Sequence, residues 1–180
     1  MKELLYECTT DAQLRQLQLQ LRYPENQRLL LKRDKHELLP IHHAIGLRQF
    51  PEVVELVLRQ TMRAAKKKGY SNEWIGDLGS SLLQYTIQLN APVNLLELHL
   101  RYFSYLLQGV PPIPMILEVQ KPRPRSRVVQ LLAMAYPPSV FSGGSDSPLI
   151  HLAQKDGYTL TLLYSVLRAI PSEVVNWYVG

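Results

Sequence analysis

A short apolar helix opening at proline or serine, followed after a break by a longer amphipathic one, recurs four times along this chain. Leu39-Pro40-Ile41-His42-His43-Ala44-Ile45 precedes Phe50-Pro51-Glu52-Val53-Val54. Ser80-Ser81-Leu82-Leu83-Gln84 precedes Ala91-Pro92-Val93-Asn94-Leu95. Ile113-Pro114-Met115-Ile116 precedes Arg123-Pro124-Arg125-Ser126-Arg127-Val128, and Ser147-Pro148-Leu149-Ile150-His151-Leu152-Ala153 precedes the apolar stretch 160–170. Pro40, Ser81, Pro114 and Pro148 are separated by 41, 33 and 34 residues. Pro40 to Pro51 and Ser81 to Pro92 are 11 residues each, and Pro114 to Pro124 is 10. Proline is tolerated in the first turn of a helix, where its missing N–H would be unpaired anyway, so these prolines read as helix starts. The longer first interval reads as an insertion around residues 62–76. Helix pairs at such a period bury their apolar faces only by stacking on their neighbours.

The long helices carry the stripe this requires. Leu96, Leu100, Phe103 and Leu107 share a face, as do Leu160, Leu163, Leu167 and Ile170. Near the N-terminus Leu14, Leu17 and Leu21 line up behind a capping box of Thr10 and Gln13. Prolines at 24, 137 and 171 mark helix ends. No stretch alternates with period two, so no strand is expected. The expected fold is all-α: an α-solenoid of stacked helix pairs at about 4–33, 34–76, 77–110, 111–145 and 146–180, in one domain of 180 residues. With 46% hydrophobic and 19% charged residues the chain has enough core to fold without disulfide or metal. Its single cysteine, Cys8, excludes an intramolecular disulfide and points to a reducing, intracellular compartment, cytoplasmic by default. No apolar run approaches the roughly 20 residues of a membrane span, and residues 1–5 lack the apolar core of a signal peptide.

Leu39-Pro40-Ile41-His42-His43-Ala44 resembles the Thr-Pro-Leu-His-x-Ala signature of ankyrin repeats, whose period is 33. Ser147-Pro148-Leu149-Ile150-His151-Leu152-Ala153 matches with one extra residue. Together with Phe-Pro-Glu-Val-Val and Ala-Tyr-Pro, these segments are similar to divergent ankyrin-like proteins of diatoms and oomycetes. The short-helix stretch of the second unit, Ser81-Leu82-Leu83-Gln84, has neither proline nor histidine, the third unit has no histidine, and the glycines expected at the hairpins are mostly missing. The resemblance therefore implies ankyrin-like pairs with reduced hairpins, an armadillo- or HEAT-like stack being the competing reading. It also implies structural roles for Pro40 and Pro148, and for His42 and His151 a hydrogen bond to neighbouring backbone.

Nothing marks an enzyme. There is no His-x-x-x-His, Glu-x-x-His or Cys-x-x-Cys spacing, no Walker loop and no Gly-x-Ser-x-Gly. No catalytic residue, metal or cofactor is expected. The formal charge is +5, much of it in two clusters. Arg63-Ala64-Ala65-Lys66-Lys67-Lys68 ends a long helix, where cations also suit the dipole. Lys121-Pro122-Arg123-Pro124-Arg125-Ser126-Arg127 is kept extended by its prolines, with four cations expected in solvent. Trp74, Trp177 and Tyr178 are of the types enriched at interface hot spots, although Trp74 could equally anchor a loop and the C-terminal pair could cap the stack. The expected function is a protein-binding scaffold or adaptor, a peripheral subunit of an assembly or an effector. Its partner would be an acidic protein bound through Trp74, Trp177, Tyr178, Lys66, Lys67, Lys68, Arg123, Arg125 and Arg127. The alternative is a nucleic-acid or ribosome-associated protein using the basic clusters. Neither cluster has the interleaved aromatics of a single-strand platform, so nucleic acid is the less expected partner.

Overall fold

The structure is a computed structural model and describes residues 10–47, 50–103, 113–141, 147–154 and 159–170. Trp177, Tyr178, Cys8, Leu107 and Pro171 lie outside these ranges. Every regular element among the described residues is helical. In chain order these are α1 (Asp11–Gln20), α2 (Pro24–Leu29), α3 (Pro40–Gly46), α4 (Pro51–Lys67), α5 (Asn72–Gln88), α6 (Val93–Phe103), α7 (Ile113–Val119), α8 (Ser126–Ala135), α9 (Pro148–Ala153) and α10 (Thr159–Ala169), with a 3-10 turn at Pro137–Val140. The chain divides into two compact units between Leu98 and His99.

In the first unit Thr10 caps α1 by accepting from the Gln13 N–H at 3.3 Å. Leu17 and Leu21 are buried from this helix. Its terminal carbonyls are taken up by the next one: Asn26 Nδ2 donates to Gln20 O at 2.9 Å and Gln27 Nε2 to Leu21 O at 3.1 Å. Pro24, Pro40 and Pro51 each stand at the first position of a helix. Pro24 is thus a start as well as the sequel to an end. α4 buries Val53, Val54, Val57, Leu58, Thr61, Ala64 and Ala65 on one stripe. It packs on α2 and α3, and α3 packs on α5.

The insertion expected around residues 62–76 is not a loop, and Ser81 is not a helix start. α5 runs unbroken from Asn72 to Gln88, through both serines and through the expected pair boundary at 76–77. The reason is local. Ser71 caps the helix by accepting from Trp74 N–H, while no proline at 80 or 81 stops it. Ile75, Leu78, Leu82, Leu83 and Ile87 then form one buried stripe, with Gly79 buried among them.

In the second unit α7 packs on α8 and α9 on α10. The short helices α7 and α9 also touch each other, as do the long helices α8 and α10. Pro148 again opens its helix, while Pro124 lies just ahead of α8, whose first residue is Ser126. The expected stripe of α10 is rotated. Leu160 is 82% exposed, Leu163 and Leu167 are half-buried, and Leu162 and Val166 are buried together with Ile170, which keeps its expected place. Both sets fit helical spacing, so periodicity alone does not choose between them.

Candidate functional site

The α4–α5 connection brings together four of the residues expected to bind a partner. Lys66 and Lys67 occupy the last turn of α4 and Lys68 caps it. Gly69 then turns left-handed at φ +77. Its N–H bonds to Lys66 O and that of Tyr70 to Ala65 O, both at 3.0 Å, which is the Schellman arrangement that ends a helix at glycine. Tyr70 stacks on Trp74 with ring centroids 4.6 Å apart and planes 18° from parallel. Trp74 is half-buried in the first turn of α5, not in a loop. All three lysines are exposed.

The lysine end of α4 forms one wall of two cavities in the first unit. The first, of about 260 Å³, has Pro24, Leu31 and Ala64 as its apolar lining and Arg28, Lys67 and Lys68 as its cations. The second, of about 520 Å³, is lined on α4 by Leu56, Gln60, Arg63 and Lys67. Those four follow i, i+4, i+7, i+11 and so stand on one face. Arg22 and Gln18 line the opposite side. Gln27 and Lys67 belong to both cavities, and no carboxylate lines either. Arg22, Arg28, Arg63, Lys67 and Lys68 form no ion pair with another described residue. Arg22 and Arg28 were not anticipated. They lie some 40 residues from Lys67 in sequence, and only the packing of α2 on α4 joins them to it.

The second basic cluster is arranged differently from expectation. Two of its four cations turn inward to Glu118, a fully buried acid on α7. Lys121 Nζ donates to Glu118 Oε2 at 2.7 Å. Arg125 donates through Nη2 to Oε2 at 3.0 Å, and through Nε and its backbone N–H to Oε1 at 3.1 and 2.8 Å. Burial alone would raise the carboxyl pKa. The Arg125 and Lys121 bonds outweigh it and hold the group below the ordinary carboxylate value. Arg125, expected on a partner surface, is therefore an internal staple between the end of α7 and the start of α8. Arg123 and Arg127 are exposed.

His42 meets Ser81 across α3 and α5, with His42 Nε2 3.2 Å from Ser81 Oγ. Asp77 and Tyr85 line the same cavity of about 320 Å³. The grouping suggests a hydrolase at first sight, and the proton positions argue against it. His42 Nδ1 accepts from Leu39 N–H at 3.2 Å, so in the neutral ring the proton sits on Nε2 and is donated to Ser81. A base for a serine nucleophile needs the opposite tautomer. Burial first, then the nearby charges of Arg33 and His43, lower the His42 pKa from 6.5 to about 4, which keeps that neutral ring at ordinary pH. Its ring also meets Tyr85 edge-on at 5.4 Å. His42 thus closes the N-terminus of α3 in the way a glutamate closes a capping box. His151 is half-buried on α9, and its ring makes no hydrogen bond to another described residue.

Comparison with protein-family models, with curated proteins and with solved structures finds no match. Among the described residues no group of three His, Cys, Asp or Glu side chains could hold a metal ion. No helix there is long and apolar enough to cross a membrane.

Proposed function

We propose that the chain is a non-enzymatic protein-interaction scaffold, an adaptor, effector or peripheral subunit of a larger assembly, built as an ankyrin-like α-solenoid. Support for the stacked-pair reading comes from the second unit, where short helix packs on short and long on long. Support for binding comes from one observation above the others. Exposed lysines at 66, 67 and 68 share a rigid hairpin with the Tyr70–Trp74 stack, held by a glycine turn and a serine cap. Cations beside an aromatic surface favour recognition by a partner carrying acids and apolar groups.

Affinity capture from native lysate at moderate salt, after nuclease treatment, tests this. The unaltered chain is expected to retain a defined protein set. Changing Trp74→Ala, or all three lysines to Glu, should deplete that set at least fivefold. Retention of the same proteins by both variants, or loss of all retained material on nuclease treatment, would refute the reading.

A further inference from the structure

We propose that the two adjoining cavities that α4 shares with α2 and with the end of α1 form one recognition groove for an acidic peptide segment bearing a large apolar side chain. This rests on the scaffold reading and adds the chemistry of the partner. Five exposed cations line the groove, from Arg22 beyond the end of α1, Arg28 on α2, and Arg63, Lys67 and Lys68 on α4 and its cap. Like charges gathered around one groove repel each other and raise the local positive potential, which an anionic ligand relieves.

The helix dipole accounts for part of this. Arg28, Lys66 and Lys67 lie in last turns, where cations are favoured. Arg63 is a turn further in and has no such explanation. The acids of the same helices also stay out of the groove. Asp11, Glu25 and Glu52 sit in first turns, and Glu55 is paired with Arg59 at 2.7 Å.

The shape selects a peptide over nucleic acid. The smaller cavity is mainly apolar, with Pro24, Leu31 and Ala64 in its lining, and lies next to the polar one through Gln27 and Lys67. That order suits one apolar side chain seated beside a row of carboxylates. Bases would need aromatic rings to stack on, and neither cavity has one. Gln18, Gln27 and Gln60 supply neutral hydrogen-bonding groups along the groove.

Selection of a displayed library of random 16-residue peptides against the full chain tests this. Enriched peptides should carry several Asp or Glu around one Leu, Ile or Phe. Affinity of the best synthetic peptide should fall at least tenfold in Arg63→Glu and in Lys67→Glu, and stay within twofold in Arg168→Glu, an exposed change on α10. Replacing the peptide's apolar residue by Ser should also weaken it at least fivefold. No acidic enrichment, equal binding by all three variants, or tighter binding of a 12-nucleotide RNA than of any peptide would overturn the proposal. These outcomes separate from failure of the scaffold reading. Proteins captured from lysate that survive Arg63→Glu but vanish with Trp74→Ala would leave the scaffold standing and the groove refuted.

Discussion

Replacing Glu118 by alanine is expected to lower the unfolding free energy of the second unit by about 3 kcal/mol, the lower end of what breaking a buried ion pair costs. The carboxylate is fully buried and takes all the donors that Lys121 and Arg125 offer it. Its removal takes a buried carboxylate from both cations and leaves a void where it stood. The lower end applies because the Lys121 and Arg125 side chains are 19% and 26% exposed and regain some hydration. Lys121→Ala should cost less than about 1 kcal/mol, since three Arg125 bonds remain. Urea unfolding of each variant checks the order. A Glu118→Ala loss below about 1 kcal/mol would show that the staple contributes little. The same group predicts acid behaviour. Its folded pKa lies below the ordinary value, so its contribution is present above pH 4.5 and is lost as the pH falls through the folded pKa.

The second large effect belongs to His42 and has a different pH window. Its pKa falls from 6.5 to about 4 on folding, so the unfolded chain binds a proton first. Above pH 6.5 both states are neutral and the residue adds no pH dependence. Below it, stability declines by about 1 kcal/mol near pH 5.5 and by about 3 kcal/mol near pH 4. The first unit should therefore soften in acid before Glu118 begins to titrate. His42→Gln keeps an acceptor for Leu39 N–H and cannot protonate, so it should remove the decline between pH 6.5 and 4. Imidazole NMR should show Nδ1 bare, Nε2 protonated and a midpoint near 4. A midpoint near 6.5 would contradict the buried, bonded ring.

Helix content and most helix starts were legible in the sequence because proline and serine act locally. A proline at the first helical position constrains its own backbone angle, and Pro40, Pro51 and Pro148 need no distant partner to do so. Ser81 misled for the complementary reason. Its place in the spacing imitated a proline, but serine neither blocks a helix nor clashes with the preceding turn, so α5 runs through it. Instead Ser81 meets His42, a contact 39 residues long in sequence. Leu160 and Leu162 stand on opposite sides of α10, and only the packing of α10 on α8 and α9 decides which side is buried. Glu118 is a single acid in an apolar helix, and the Arg125 that it holds lies seven residues on, beyond the reach of a helical pairing rule. The groove was half visible. Leu56, Gln60, Arg63 and Lys67 share a face by spacing alone, whereas Arg22 and Arg28 join them only through tertiary packing.

The most direct measurement places a photo-crosslinking amino acid at Gln60, within the groove, and in a second protein at Gln130 on α8, then illuminates each in native lysate. Adducts to a discrete protein from position 60, whose crosslinked peptides are rich in Asp and Glu, are predicted, with none of them from position 130. Adducts from 130 but not from 60, or crosslinks from 60 to nucleic acid alone, would contradict recognition of a protein through the basic face of α4.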